Sequence, residues 1–439
     1  MRQVISSPDR IEGVAVPPGD KSISHRALLL NSIAQGTAHV SNICVGDDRI
    51  SMLRCLRSLG AHILRHHNCH VCGAEECFTV DGHGPDGLSE PATVLNSGNS
   101  GTTMRLVSGL LAAQSFFSVI SGDHSLRERP MDRIVRPLLQ MGATVIGRSQ
   151  DTLPPLAIHG GNLRGIDYKL PVASAQVKSC ILIAGLHADG ETTIHQPAAT
   201  RDHTTRLMEA MGADIRVDGL SITVRRSRLK SKDIRVPGDI SGAASWLVAG
   251  CCHPNARIRV EGVGINPSRT GILDVLKAMG GRITVENVHE DGGESSADLV
   301  AETSELVGTE IGGDLIPRVI DELPVLALAA CFAKGATVIK DAQELRVKES
   351  DRILATVDGL TRMGADIEER PDGMVIQGSS RLYGTECQSY GDHRIAMTMG
   401  IAGLLARGIT AVVGAEAAEV SYPSFWDTLS EFERPRTSF

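Results

Sequence analysis

Five stretches of this 439-residue chain repeat one phrase: LRSLGAHI (Leu56–Ile63), LLQMGATVI (Leu138–Ile146), LMEAMGADI (Leu207–Ile215), LKAMGGRI (Leu276–Ile283) and LTRMGADI (Leu360–Ile367). Their glycines, Gly60, Gly142, Gly212, Gly280 and Gly364, stand 82, 70, 68 and 84 residues apart. Apolar residues precede each glycine at three- and four-residue intervals, as in Ile134, Leu138, Leu139 and Met141, which is the signature of a helix. The glycine then supplies a left-handed C-cap that a side chain would disfavour. A β-favouring run follows, in which Ile283 and Val285 are expected to face the core while Thr284 and Glu286 face out. A second phrase, Ala-x-Gly before another β-favouring run, recurs at Ala34–Gly36, Ala188–Gly190, Ala333–Gly335 and Ala406–Gly408. Both series imply an α/β unit of about 70 to 80 residues, so the chain holds about six of them. That unit is too large for a solenoid repeat and small for a domain, and three plus three is the simplest grouping.

A pair of turns marks the grouping. Pro18-Gly19-Asp20-Lys21-Ser22 is echoed by Pro237-Gly238-Asp239-Ile240-Ser241, and each reads as a turn opening a helix. The expected domains are residues 22–238, and residues 1–21 with 239–439, joined by crossovers near 18–22 and 237–241.

Composition narrows the function. Net charge is -8, from 44 basic and 52 acidic residues, and only 3% of residues are aromatic. That argues against a polyanion binder acting through bulk charge and against stacking on single-stranded nucleic acid. The start, MRQVISSPDRIEG, lacks an export-signal pattern, and the longest apolar run, Leu323 to Ala333, is too short to span a bilayer. The ten cysteines then read as reduced thiols in a cytoplasmic protein, expected to be a monomer without membrane or nucleic-acid partners.

Against this acidic background, Lys and Arg gather at turns that open onto helices: Asp20–Arg26, Asn96–Arg105, Arg127–Met131, Arg346–Arg352 and Gly391–Arg394. Such placement builds local anion sites, and the loop Gly98–Gly101 can bring backbone N–H groups close to an anion. It is no Walker loop, since no Gly-Lys-Ser/Thr follows. Gly82-His-Gly-Pro-Asp-Gly87 matches GxGxxG but leads into a polar stretch, so it reads as a hairpin turn rather than a dinucleotide site. The run His66-His67-Asn68-Cys69-His70-Val71-Cys72, with Cys77 beyond, has zinc-like residue types without a second ligand pair at the usual spacing. It reads as a polar strand pair, and no metal or other cofactor is expected. Asp321 and Glu322 open an apolar helix, and Glu349 sits between Lys348 and Arg352. Carboxylates among cations there suit general acid–base work.

These motifs resemble the EPSP synthases, the 3-phosphoshikimate 1-carboxyvinyltransferases: Leu95–Arg105 and Arg346–Ile353 are similar to that family's two signatures, and PGDKSISHR to its N-terminal crossover. The resemblance covers essentially the whole chain. It implies a two-domain inverse α/β barrel, each domain three βαβαββ repeats, and transfer of the enolpyruvyl group of phosphoenolpyruvate to the 5-hydroxyl of shikimate 3-phosphate. By the same resemblance, Lys21, Asp321 and Glu349 are catalytic. Lys21, Ser22, Arg26, Ser174, Gln176, Arg201, Asp321 and Lys348 would hold shikimate 3-phosphate, while Lys21, Gly101, Arg129, Gln176, Arg352 and Arg394 would hold phosphoenolpyruvate. Ala175 stands where the family commonly has a second phosphate-binding Ser, and no Lys precedes Tyr422-Pro423. Gly101 matches glyphosate-sensitive members, the tolerant subgroup having Ala there. The alternative, a UDP-N-acetylglucosamine enolpyruvyl transferase, would carry a reactive Cys within Ser121–Met131 and Lys-Asn in place of Lys21-Ser22; neither is present.

Overall fold

A computed structural model describes residues 1–44, 46–378 and 381–434. All five phrase glycines adopt left-handed backbone, with φ from 87° to 101°. At the first, Gly60 N–H donates to the Arg57 carbonyl and Ala61 N–H to that of Leu56, both at 3.0 Å, so orphan carbonyls of the helix end are satisfied. The Ala-x-Gly glycines Gly36, Gly190, Gly335 and Gly408 are left-handed too, with φ of 111°, 86°, 88° and 91°. Each phrase therefore converts a helix into a strand.

Two compact units divide the chain. The first comprises Gly19–Val236 with Glu290–Glu294, and the second comprises Met1–Pro18, Pro237–His289 and Ser295–Phe439. In the first unit the repeats carry helix pairs α1 (Lys21–Ser32) and α2 (Asp47–Ser58), α3 (Gly101–Ala112) and α4 (Asp132–Gln140), and α5 (Ala175–Gly185) and α6 (His203–Ala210). In the second the pairs are α7 (Ile240–Cys252) and α8 (Gly271–Ala278), α9 (Leu323–Phe332) and α10 (Arg352–Arg362), and α11 (His393–Leu405) and α12 (Phe425–Glu433).

The first helix of each pair is buried nearly all round: α7 buries every residue from Ile240 to Cys251, and α9 every residue from Leu323 to Cys331. The second helix is amphipathic, as in α4, where Ile134, Val135, Pro137 and Leu138 are buried. Such a division puts one helix of each pair inside its unit and the sheets outside. Among the described residues the first unit has three four-stranded sheets; the second has two of four strands and one of three. Within a repeat, the strand after the inner helix pairs antiparallel with the last strand, as Gln35–Ser41 does with Glu76–His83, and that strand pairs with His62–His67. Closing strands come from far along the chain. Ile234–Arg235 adds in parallel to Gln35–Ser41, Ile11–Ala15 in parallel to Ala256–Gly264, and Arg2–Ser6 antiparallel to Ile409–Val413. The fold is a two-domain inverse α/β barrel of βαβαββ repeats, and each unit has its own aliphatic core.

Two expectations need correction. Val285 is 40% exposed rather than core-facing, because Arg282–Asp291 is the outer strand of its sheet and extends past the core. Gly82–Gly87 is not a hairpin turn: Glu76–His83 runs through Gly82, and a turn follows from Gly84. Gly82 is required by close approach, since a Cβ there would lie 2.3 Å from the carbonyl oxygens of Asn31 and Ala34 at the end of α1.

Candidate active site

In the first unit most candidate side chains come from the N-terminal ends of the inner helices, while Arg129 and Arg201 lie in the segments before the outer ones. Asp20 caps α1, accepting from Ile23 N–H at 2.8 Å, and Lys21 and Ser22 open the helix behind it. One turn on, Arg26 is 3% exposed. Its Nε donates to Thr204 Oγ1 (2.5 Å), Nη1 to the Ser22 carbonyl (2.7 Å) and Nη2 to Ser179 Oγ (2.8 Å). None of these partners is charged. Burial pushes the Arg26 pKa down to about 10, with Asp20 opposing and Arg201 adding to the shift.

Lys178, on α5, is 1% exposed and donates to the Thr200 carbonyl at 3.3 Å. Burial lowers its pKa to about 8, Asp202 pulling it up and Arg26 pushing it further down. Beside it, Ser174 caps α5 through Val177 N–H. Gln176 ties two helices together: its Oε1 accepts from Arg105 Nη1 (2.6 Å) and its Nε2 donates to Thr102 Oγ1 (3.0 Å). The Arg105 pKa is lowered to about 10 by burial and by the neighbouring charges of Arg129 and Arg133. Arg129 is oriented by Asn99, whose Oδ1 accepts from Nη2 at 2.6 Å. A Cβ on Gly101 would lie 2.8 Å from Arg105 Nη1 and 3.6 Å from Arg129 Nη1, so this position opens directly onto two guanidiniums. The cluster is rich in buried cations held by neutral partners, which suits anions bearing several charges.

The second unit is arranged differently. Arg352 opens α10 and is 2% exposed. Its Nε donates to Asp392 Oδ2 (2.8 Å), Nη1 to Asp321 Oδ1 (3.3 Å) and Nη2 to Glu349 Oε2 (2.7 Å). Burial alone would lower its pKa, but Asp392, Glu349 and Asp321 together raise it above the usual arginine value. Asp392 also caps α11, accepting from Arg394 N–H at 2.8 Å; burial would raise its pKa, but the Arg352 guanidinium holds it below the usual value. Asp321 additionally faces Arg269 Nη1 at 3.7 Å. The Glu349 side chain keeps 44% of its exposure, so one carboxylate of this set stands open to solvent. Glu322 is the opposite case: it is buried, accepts from the Ser241 hydroxyl, and has its pKa raised by that burial. Arg394 Nε is buried without a hydrogen-bond partner among the described residues.

Lys21, Ser22, Arg26, Gly101, Arg129, Ser174, Gln176 and Arg201 thus lie in the first unit, and Asp321, Lys348, Glu349, Arg352 and Arg394 in the second. Asp321 and Glu349 meet on one guanidinium. Lys348 stands apart from that ion-pair set, 3.9 Å from Glu344, and Arg346 is held by Asp351 and Glu369. Sequence reasoning missed Lys178, Ser179, Thr204 and Arg269. Lys178 and Ser179 were within reach of it, since they follow Gln176 by two and three residues on the same helix.

A protein whose two inside-out α/β units carry an anion-binding cluster and a carboxylate–guanidinium cluster is built for group transfer between small, highly charged substrates. Comparison with known proteins narrows the class. The sequence matches the family described as EPSP synthase (3-phosphoshikimate 1-carboxyvinyltransferase) over residues 5–429. It is 50% identical over 421 residues to the 3-phosphoshikimate 1-carboxyvinyltransferase of Desulforudis audaxviator, covering 96% of each chain. It is also 50% identical to that of Synechococcus sp. over 98% of this chain and 97% of the relative. A solved EPSP synthase from Acinetobacter baumannii superposes with a TM-score of 0.90 at 43% identity, covering 98% of both chains. The chain belongs to the EPSP synthase family.

Proposed function

We propose that these side chains carry out enolpyruvyl transfer from phosphoenolpyruvate to the 5-hydroxyl of shikimate 3-phosphate, releasing phosphate. The observation that carries this reading is Arg352, a buried cation shared by Asp321 and Glu349. It holds the two carboxylates on one guanidinium. In the first unit, Arg26, Ser174, Gln176, Arg201 and Lys178 hold shikimate 3-phosphate, with Ser22 at the mouth of α1. Gly101 and Arg129 hold phosphoenolpyruvate there, and Arg352 and Arg394 supply further guanidinium contacts to its carboxylate and phosphate.

Chemistry follows from protonation. Asp321 accepts the 5-hydroxyl proton as oxygen attacks C2 of phosphoenolpyruvate, and the methylene carbon gains a proton from the Glu349 carboxyl. Collapse of the tetrahedral intermediate returns a methyl proton to Glu349 as the C2–O bond to phosphate breaks, and the proton held by Asp321 passes to the departing phosphate. Lys21 touches both substrates and stabilises the charge that develops on the departing phosphate, and Lys348 adds a contact to the shikimate moiety. We place this activity in a cytoplasmic monomer. No helix among the described residues is long and apolar enough to cross a membrane, and each unit buries its own core.

Phosphate release with each acceptor in turn tests the proposal. Shikimate 3-phosphate should support phosphoenolpyruvate-dependent release and UDP-N-acetylglucosamine should not. The reverse preference would overturn the assignment of substrate. Sedimentation velocity at micromolar protein should show one species near 46.7 kDa.

A further inference from the structure

A second cluster lies outside the residues given a role above. Between strands His62–His67 and Glu76–His83, a tight loop brings Cys69, Cys72 and Cys77 together, their sulfurs all within 4.8 Å of one another and none in a disulfide. Cys77 is fully buried in its strand, Cys69 is 8% exposed, and Cys72 is exposed at the loop tip.

The loop's backbone explains the convergence. Asn68 and Gly73 both adopt left-handed φ, 52° and 68°. Cys69 N–H donates to the Ala74 carbonyl and Gly73 N–H to the Cys69 carbonyl, each at 2.9 Å, folding Cys69-His-Val-Cys72-Gly into one turn. That turn aims the backbone N–H groups of Val71 and Cys72 at the Cys69 sulfur. Three thiolates so close repel one another, and a cation is what would let all three ionise together. Sulfurs on a tetrahedral zinc, at about 2.3 Å from the metal, stand about 3.8 Å apart, which this cluster reaches with small side-chain rotations. Glu76, next to Cys77, is taken by Arg49 at 2.8 Å and Arg65 at 2.5 Å, so it is not a competing ligand.

We propose that Cys69, Cys72 and Cys77 form a three-thiolate zinc site that pins the loop joining these two strands. The remaining corner goes to a non-thiolate donor. His66 pairs directly opposite Cys77 in the antiparallel register, so the sheet places it on the same face. Binding displaces the thiol protons to solvent and changes no oxidation state. The usual objection, that no second ligand pair follows Cys77 at zinc-finger spacing, does not apply, because the strand pairing brings the third sulfur back to the first two.

The full chain, purified from zinc-supplemented cells under reducing conditions and dialysed against metal-free buffer, should retain about one zinc per chain by elemental analysis. Cys72→Ser, an exposed change that the fold tolerates, and Cys69→Ser should each cut this at least about tenfold, with phosphate release unchanged. Cobalt added to the zinc-free chain should give a thiolate-to-metal charge-transfer band that both variants lose. Zinc content equal in wild type and Cys72→Ser would overturn the proposal. So would a metal-free wild type, or intact mass showing a Cys69–Cys77 or Cys69–Cys72 disulfide under the same reducing conditions.

Discussion

Arg26 and Arg352 are 3% and 2% exposed, yet their surroundings are electrically opposite. Arg26 meets a carbonyl and two hydroxyls, and burial lowers its pKa to about 10. Arg352 meets three carboxylates, which raise its pKa. A buried cation given only neutral partners leaves its site short of negative charge, which an arriving anion supplies. A cation matched by carboxylates fixes them in place, which on the function proposed above is where proton transfer occurs. One repeat architecture thus yields one guanidinium hydrogen-bonded to neutral groups and another hydrogen-bonded to carboxylates. What differs is the partner set of a single buried guanidinium.

The largest expected effect falls on the proton-handling side. Glu349→Gln keeps the contact with Arg352 but cannot exchange a proton, so kcat should drop by roughly 100-fold or more while KM for both substrates changes little. Near-normal turnover would reduce Glu349 to a structural partner of Arg352.

On the binding side, Lys178→Met should raise KM for shikimate 3-phosphate about tenfold or more, with a smaller loss in kcat. The same change should stabilise the ligand-free enzyme. The folded-state pKa of Lys178, about 8, lies below its ordinary 10.5. The folded chain is therefore penalised for carrying this charge below pH 8, and the penalty fades as pH rises towards 10.5. Urea denaturation should show Lys178→Met more stable by roughly 2–3 kcal/mol at pH 7, the gain shrinking by pH 10. A destabilised variant at pH 7 would mean that Lys178 is not a strained cation awaiting an anion. In the wild type, KM for shikimate 3-phosphate should rise as pH passes 8 and Lys178 loses its charge.

Gly101→Ala sharpens the comparison at the point where a methyl would meet Arg105 Nη1 at 2.8 Å. Arg105 must give way, and the space lost is space that the longer glyphosate needs more than phosphoenolpyruvate does. The inhibition constant for glyphosate should rise at least about tenfold, against about threefold or less for the phosphoenolpyruvate KM. Wild-type activity that persists in saturating glyphosate would sink this reading of the loop. The smallest effect is expected at Arg346, whose charge is already met by Asp351 and Glu369. Arg346→Gln should leave kcat/KM within about threefold, which steady-state assays can resolve.

The repeats were legible because glycine is the residue that a left-handed helix end selects, and nine such glycines fall at the same two points of the unit. Where the inner helix ends without one, as α3 does at Ala113 and α7 at His253, the sequence carried no matching signal. Lys178 was missed for a related reason. Periodicity reveals a buried face only when the opposite face is polar, and α5 is buried on every side. A lysine in such a helix looks like a surface residue until the fold closes around it. The Cys69, Cys72 and Cys77 thiols stand out in the sequence but read there as no metal site for want of a second ligand pair; that all three sulfurs converge is visible only in the fold.

Strand pairing also sets an order of assembly. Arg2–Ser6 leaves the ribosome about 400 residues ahead of its partner, Ile409–Val413. At about 5–20 residues per second that delay is about 20 to 80 seconds. Gly19–Val236 is continuous and can form three repeats in turn while synthesis proceeds. Ile5 and Ile11, fully buried at the end, must meanwhile travel as unpaired β-edge on a growing chain. The stretch from Arg2 to Ala15 is therefore exposed to mispairing between nascent chains, and a holding chaperone has an unpaired edge there to shield.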